Sequence, residues 1–237
     1  MSFLTAEWRK LAIANYKIDP TVLAPYVPKG TELDLWQDRC YVSLIGFRFI
    51  NTKVLGLKIP GHVNFEEVNL RFYVRRQVGV EWRRGVVFIK EIVPKYAITW
   101  VANTLYQEHY ETCPMRSNWD VGPNQQHITY EWKRGSEWQK IAVQASSQGQ
   151  DLVAGSEEEF ITEHYWGYAA PNQRKTNEYE VTHPRWQVYP VESYDIELDF
   201  ATNYGQDFAF LQEQAPTSVM LAEGSAITVE GKTTLKF

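Results

Sequence analysis

Short segments with the composition and alternation of β-strands recur along most of the chain, and they limit the fold more than any other feature. Each segment is rich in β-branched and aromatic residues, as strands are. They lie at residues 39–49, 65–75, 86–93, 126–133, 138–145, 179–181, 186–191, 194–200 and 226–229. The pair 126–133 and 138–145 flanks turn-forming residues and predicts a hairpin. The pattern as a whole predicts a mostly β, largely antiparallel architecture.

Four short helical segments interrupt these strands. They are predicted at residues 20–27, 97–110, 157–165 and 207–213. Asp19 followed by Pro20 is typical of a helix start, and Ser156 with Glu159 forms a capping-box pattern. No linker rich in Gly, Ser or Pro divides the 237 residues. We therefore expect one domain over residues 1–237.

Composition argues against several classes of function. Acidic residues number 29 and basic residues 24, for a net charge of −5, whereas a nucleic-acid binder needs a basic face. No apolar run is long enough for a transmembrane helix, and the N-terminus lacks the pattern of a signal peptide. We expect a cytoplasmic protein that binds neither nucleic acid nor membranes. Exposed strand edges and 9 tryptophans leave a homodimer open.

The segment 65–75 alternates most cleanly between apolar and polar residues. Side chains of a strand point to opposite faces in turn. One face carries Val68, Leu70, Phe72 and Val74, and the other carries Glu67, Asn69, Arg71 and Tyr73. The polar face is either a solvent-exposed ladder of cross-strand pairs or the wall of a polar cavity. In a cavity, a carboxylate beside a guanidinium can orient a substrate or move a proton.

Three histidines are candidates for the same cavity. His109 lies eleven residues after Ile98, which is close to a whole number of helical turns. We therefore predict that it points inward, where an imidazole can act as acid or base near neutral pH. His164 continues the apolar stripe of the third helical segment, and His183 lies close to Trp186. Packing in the core is the alternative for each histidine.

Motifs for cofactors are missing from the sequence. The five histidines show no HxH, HxxxH or HExxH spacing of the kind that holds metals. Neither the glycine-rich nucleotide loops nor the GxSxG nucleophile elbow occurs. We therefore expect neither a metal nor an organic cofactor.

Three stretches of the sequence carry a family resemblance. Residues 65–74, 160–168 and 181–186 read FEEVNLRFYV, FITEHYWGY and VTHPRW, and they resemble the signatures of the uncharacterised YqjF-like proteins. The resemblance extends over nearly the whole chain. It implies the acetoacetate decarboxylase-like fold, a closed, double-layered antiparallel β-barrel or cone around an internal cavity.

A more distant similarity to acetoacetate decarboxylase itself is local. Residues 16–28, YKIDPTVLAPYVP, resemble its opening strand and short helix. This similarity implies that Arg9 matches an active-site arginine and that Glu67 lies near the position of an active-site glutamate. The position of the Schiff-base lysine falls within residues 108–112, which contain no lysine. Imine formation needs an amine, so the sequence argues against Schiff-base decarboxylation.

Two functions remain open at this point. The first is a lysine-free enzyme that acts on a small organic acid or carbonyl compound by proton transfer, hydration, dehydration or isomerisation. Its catalytic candidates are Glu67, His109 and Arg9, with Arg9 or Arg71 holding a carboxylate or enolate. The second is a non-catalytic binding module for a small acidic or aromatic metabolite. For either function, the residues predicted to contact the ligand are Asn69, Arg71, Tyr73, Tyr106, His164, His183 and Trp186.

Overall fold

The computed structural model describes residues 2–237, and strands dominate this part of the chain. In chain order they are β1 (Leu4–Lys17), β2 (Glu32–Leu33), β3 (Tyr41–Val54), β4 (Phe65–Val78), β5 (Glu81–Val93), β6 (Tyr110–Thr112), β7 (Met115–Val121), β8 (Gln125–Arg134), β9 (Glu137–Ser146), β10 (Gln150–Asp151), β11 (Trp166–Asn172), β12 (Lys175–Thr182), β13 (Gln187–Tyr189), β14 (Val191–Glu197), β15 (Ser218–Val229) and β16 (Thr233–Lys236). The mostly β fold class is confirmed, and the predicted hairpin corresponds to β8 and β9.

Helices are few and short. They are α1 (Pro20–Leu23), α2 (Tyr96–Val101), α3 (Glu157–Thr162) and α4 (Phe200–Tyr204), with 3-10 turns at Ala24–Tyr26 and Gln206–Glu213 and a π-helical turn at Ala102–Tyr106. The predicted starts of α1 and α3 are confirmed, because the side chains of Asp19 and Ser156 accept backbone N–H groups there. Among residues 2–237, none of the helices has the length and apolarity needed to cross a bilayer.

Strand pairing closes the larger of two sheets on itself. From β15 the order runs through β1, β3, β4, β5, β11 and β12. β12 then pairs with β15 again, with Val181 opposite Val229 and Thr182 opposite Thr228. A second sheet contains β14, β9, β8 and β7 in that order. The chain therefore has two stacked layers of mainly antiparallel strands.

Two strands pair with β5 in parallel, so the larger sheet is mainly but not wholly antiparallel. β6 joins the end of β5, with Tyr110 opposite Glu91, and β11 joins its start, with Trp166 opposite Gly85. A parallel neighbour needs a crossover of a dozen or more residues, and α2 with the π-helical turn lies in the crossover between β5 and β6. The crossover brings residues of β6 beside Glu91.

Both faces of β4 are buried. Val68, Leu70, Phe72 and Val74 are fully buried and share one core cluster with Ile128, Tyr130 and Trp132 of β8 and with Ile141 and Val143 of β9. On the other face Glu67 is 2% exposed, Asn69 1%, Arg71 8% and Tyr73 1%. The predicted alternation is confirmed, and the alternative of a solvent-exposed polar ladder is wrong.

Candidate functional site

A pocket of about 220 Å³ lies against the polar face of β4. Its walls are formed by β1, β3, β4, β5, β11 and β12, by α2 with the π-helical turn, and by the segment that follows α3. Most of the lining side chains are apolar or aromatic. The charged glutamates and arginine come from β4, from β5 and from the approach to β6, so the charged groups are concentrated on one side.

The polar residues of β4 lie side by side at the pocket wall. Asn69 Nδ2 donates a hydrogen bond to Glu67 Oε1 at 3.0 Å, and Arg71 Nη2 donates to the Ile161 carbonyl at 3.3 Å. Glu67, Asn69 and Arg71 all line the pocket. Tyr73 does not, because its hydroxyl is 2.7 Å from Ser43 Oγ within the sheet. The strand therefore presents an acid, an amide and a guanidinium to the same space.

Two further glutamates line this pocket that the sequence did not identify as site residues. Glu91 of β5 and Glu108 are 2% and 7% exposed. Tyr110 donates a hydrogen bond to Glu67 Oε2 at 3.2 Å, and Tyr179 donates to Glu108 Oε1 at 2.9 Å. The sequence signal for Glu91 is a lone acid within the apolar run of residues 86–93. Glu108 begins residues 108–112, the segment to which the distant similarity assigned the position of the Schiff-base lysine.

Burial raises the pKa of all three carboxyl groups. Loss of water raises the pKa of Glu67 to about 7, although the Asn69 and Tyr110 hydrogen bonds and the charge of Arg71 oppose the rise. Burial also raises the pKa of Glu108 to about 8, with repulsion from Glu67 adding to it. Glu91 has a pKa well above its usual value because it is buried and because both other carboxylates repel its charge. At neutral pH the cluster therefore retains protons.

His164 is buried at the pocket wall and neutral at physiological pH. Burial lowers its pKa to about 4. Its Nε2 lies 3.1 Å from Asp34 Oδ2, and Arg84 Nε donates to the same oxygen at 2.6 Å. Because the carboxylate only accepts, a neutral His164 donates from Nε2 and leaves Nδ1 as an acceptor. Nδ1 has no partner in the protein.

The other predicted contact residues also line the pocket. His183 stacks on Trp186 with ring centroids 4.2 Å apart, and its Nδ1 donates to the Pro184 carbonyl at 2.9 Å. Burial lowers the pKa of His183. Trp186 Nε1 donates to Ser225 Oγ at 2.8 Å. Tyr106 packs edge-on against Tyr179 at 5.2 Å. These rings are therefore held in place by contacts within the protein.

The prediction that His109 points inward is wrong. The helix does not reach residue 109: the π-helical turn ends at Tyr106, and Gln107 adopts a left-handed conformation with φ of 60°. Helical spacing from Ile98 therefore no longer applies at His109, which is exposed. Its contribution is a backbone one, because its carbonyl accepts the Glu91 N–H at 3.0 Å. Glu108, one residue earlier, takes the buried position.

Arg9 does not line the pocket either. Its guanidinium lies 2.6 Å from Glu7 and 3.6 Å from Glu223, and the neighbouring Trp8 faces the pocket instead. Adjacent residues of a strand point to opposite faces, so the two positions cannot share a wall. The role implied for Arg9 by the distant similarity is therefore not available to it, and Arg71 is the arginine at the pocket.

No lysine occurs among the described residues that line the pocket. Lys90 precedes Glu91 on β5 and points to the other face, where its Nζ lies 3.0 Å from Glu111. Within residues 2–237, no group of three or more His, Cys, Asp or Glu is arranged to hold a metal ion. The pocket therefore offers carboxyl groups, phenols, a guanidinium and imidazoles.

Buried polar atoms without a hydrogen-bond partner are concentrated in this pocket. Pocket-lining residues provide Trp8 Nε1, Thr52 Oγ1, Asn69 Oδ1, Arg71 Nε, Glu91 Oε2 and His164 Nδ1. Native proteins leave few such atoms unpaired, because each one is costly. The wall is thus able to form more hydrogen bonds than the protein itself supplies.

Comparison with known proteins places the chain in a family. The model of the DUF2071 family, described as "Uncharacterized conserved protein", matches residues 5–226. The chain belongs to this family. YqjF of Bacillus subtilis (strain 168), an uncharacterized protein, is 34% identical over 68 residues, and the match covers 28% of each chain. The predicted resemblance to YqjF-like proteins is confirmed.

Solved structures show that this DUF2071 chain has the acetoacetate decarboxylase-like fold. Acetoacetate decarboxylase from Legionella pneumophila matches with a TM-score of 0.65 and 13% identity, covering 98% of this chain and 86% of that one. The enduracididine biosynthesis enzyme MppR matches with a TM-score of 0.69 and 13% identity, covering 100% of this chain and 89% of that one. An acetoacetate decarboxylase-like enzyme from Sphingomonas wittichii RW1 matches with a TM-score of 0.68 and 12% identity, covering 100% of this chain and 94% of that one. At this identity the likeness establishes the fold alone.

Proposed function

We propose that the chain is an enzyme that binds a small oxo acid and moves a proton at the carbon next to the carbonyl, without a Schiff base. One observation carries the proposal. Glu67, a fully buried carboxyl whose pKa is raised to about 7, lines the same pocket as Arg71, whose Nε has no partner. A general base works best when its pKa lies near the operating pH.

Arg71 is the group that holds the substrate anion. Its guanidinium is 8% exposed and is fixed by the hydrogen bond from Nη2 to the Ile161 carbonyl. A buried guanidinium that keeps free N–H groups favours a carboxylate or enolate oxygen as its partner. The carbonyl of Asn69, whose Oδ1 is unpartnered, accepts a hydrogen bond from a substrate hydroxyl.

Glu67 moves the proton. In its ionised form the carboxylate takes a proton from the carbon next to the substrate carbonyl, and the C–H electron pair forms the C=C bond of an enolate. The carbonyl oxygen gains the charge, and Arg71 stabilises it. Return of the proton from Glu67 to the same carbon regenerates the oxo acid substrate. Its return to another atom of the substrate gives an isomer. Such a positioned base contributes about 10²–10⁴-fold in rate.

Known structures of this fold are compatible with such a substrate. MppR is described as complexed with pyruvate and with the condensation product of pyruvate and imidazole 4-carboxaldehyde. This chain offers no pocket lysine among the residues described. We therefore infer that hydrogen bonds and charge, rather than an imine, activate the substrate carbonyl for proton transfer at the neighbouring carbon.

A binding module without catalysis is the second candidate, and the apolar character of most of the wall favours it. Aromatic side chains give contact area to a bound metabolite without taking part in chemistry. Proton exchange separates the two candidates, because binding alone leaves the substrate C–H bonds intact.

The test combines a stability screen with proton exchange. Small oxo acids are screened for an increase in Tm, since a ligand stabilises the folded state by mass action. Loss of the substrate C–H signal in D₂O is then followed by ¹H NMR for the wild type, for Glu67→Gln and for Glu66→Gln. Glu66 is the matched control, because it precedes Glu67 on β4 and does not line the pocket.

We expect at least one oxo acid to raise Tm and to exchange in the wild type and in Glu66→Gln, and Glu67→Gln to lose at least 100-fold of the rate. Equal exchange by Glu67→Gln would contradict the proposal. Binding with no exchange in any variant would contradict the catalytic assignment and support the binding module.

A further inference from the structure

The pocket wall is divided into a polar and an apolar half along β4. Successive pocket-facing positions on a strand are about 6.6 Å apart, and β4 presents Phe65 first and then Glu67, Asn69 and Arg71. Phe65 pairs with Phe49 of β3. The apolar half therefore begins where the polar run of β4 ends.

The apolar half is an aromatic wall formed by Trp8, Phe47, Phe49 and Phe65. Trp8 of β1 is paired with Phe49 of β3, so the wall crosses three neighbouring strands. Phe49 and Phe65 stack with ring centroids 4.6 Å apart, and Trp8 packs on Phe47 at 5.5 Å. Ile98 of α2 packs against the same cluster and lines the pocket. These side chains support one another and form a preformed apolar surface.

The volume of the pocket exceeds what the head group of the proposed substrate requires. An apolar cavity of roughly 150 Å³ accepts benzene, with its six non-hydrogen atoms. In proportion, about 220 Å³ accepts about nine non-hydrogen atoms. An oxo acid of three carbons has only six, which leaves room for about three more. The remaining space lies beside side chains that offer no charge.

We propose that the substrate class is an oxo acid with a linear apolar tail of about three carbons beyond the three-carbon head group. Its head group lies between Arg71 and Glu67, and its tail lies along the aromatic wall and Ile98. This inference rests on the proposed function for the head group alone.

The test measures affinity as a function of tail length. Dissociation constants are measured by calorimetry for linear 2-oxo acids of three to eight carbons. Each methylene group that becomes buried contributes roughly 0.8 kcal/mol, which corresponds to about fourfold in Kd. We expect Kd to fall by about this factor for each added carbon until the tail fills the apolar half. Equal affinity for all lengths, or tightest binding of the three-carbon acid, would overturn the inference.

Two variants, one in α2 and one in the π-helical turn, are expected to shift the preferred tail length in opposite directions. Ile98→Ala enlarges the apolar half, and Ala102→Leu fills it. Both positions are only partly buried and both new residues favour helices, so folding is retained and circular dichroism checks it. We expect the preferred chain to lengthen by one or two carbons in Ile98→Ala and to shorten by as much in Ala102→Leu. An unchanged length profile in both variants would contradict the placement of the tail.

The outcome can be separated from that of the proposed function. If longer acids bind more tightly but none exchanges its proton, the tail site stands and the catalytic role of Glu67 fails. If the three-carbon acid exchanges and longer acids bind no tighter, the catalytic role stands and the tail site fails.

Discussion

The two faces of β4 are buried to a similar extent, but their side chains are satisfied in different ways. Val68, Leu70 and Phe72 are fully buried in the core between the two sheets and have no polar atoms to pair. On the other face Asn69 Oδ1 and Arg71 Nε are buried without partners. One strand thus carries a face that holds the sheets together and a face that leaves hydrogen-bonding groups available.

This contrast separates the residues expected to set stability from those expected to set function. Buried polar groups without partners reduce stability, and a fold retains them where a ligand supplies the missing contacts. The apolar face should therefore respond strongly to truncation. On the pocket face, changes of charge and pH should alter the free energy of unfolding. Replacement of an unpartnered polar group there should increase it.

Truncation of the apolar face should give the largest effect. Phe72→Ala removes a ring that is completely buried, and such changes reduce the free energy of unfolding by about 3–5 kcal/mol because a cavity remains. Urea denaturation followed by fluorescence measures the change. A loss below about 1 kcal/mol would contradict the view that this face holds the two sheets together.

The pocket face should make stability fall with rising pH. Burial raises the pKa of Glu67 to about 7 and of Glu108 to about 8. A raised pKa means that the folded state holds protons that the unfolded state has released. The stabilising contribution of these groups is therefore fully present below the ordinary glutamate pKa of 4.5 and is lost as the pH rises through the folded values. His164, with its pKa lowered to about 4, acts in the opposite direction and only below about pH 6.5.

The window between about pH 6.5 and 8 therefore isolates the carboxyl groups. We expect the free energy of unfolding to fall there by on the order of 2 kcal/mol, and Glu108→Gln to reduce that fall. Denaturation at a series of pH values measures both slopes. Identical slopes for the wild type and Glu108→Gln would contradict the assignment of raised pKa values to the cluster.

Replacement of one acid by an apolar group should give the smallest effect, and one of opposite sign. Glu91→Met removes a buried carboxyl with an unpartnered Oε2 and retains a long, flexible side chain. We expect the free energy of unfolding to increase by about 1 kcal/mol at pH 7. Thermal and urea denaturation measure the change. A decrease of similar size would show that Glu91 has a structural role in the apo protein.

Local sequence pattern was sufficient for β4 and for the starts of α1 and α3. Alternation of side chains along a strand is a property of the strand itself, so the polar and apolar faces of residues 65–75 could be assigned in advance. Helix caps depend on neighbouring residues in the same way. Enclosure of the polar face depends on strand pairing around the sheet, and the sequence left two alternatives for it.

One error arose where local geometry changes within an element. Periodicity from Ile98 predicted an inward His109, but Gln107 ends the helical backbone two residues earlier. The expectation for Arg9 came from a distant similarity rather than from a local pattern, and ordinary alternation along β1 places Trp8 at the pocket instead.

The glutamate cluster depends on contacts that are distant in sequence. Glu91 and Tyr110 become neighbours only through the parallel pairing of β5 and β6 across a helical crossover, and Tyr179 reaches Glu108 from β12. No local pattern encodes such pairings. A lone acid in an apolar strand is the only signal that the sequence itself provides.

The pH dependence of proton exchange tests the central claim most directly. If Glu67 is the base, the rate of exchange of a bound oxo acid must rise with pH around an apparent pKa near its raised value of about 7, and Glu67→Gln must lose this rise while Glu66→Gln retains it. A wild-type rate that is constant from about pH 5.5 to 8.5, or a rise that survives in Glu67→Gln, would contradict the account.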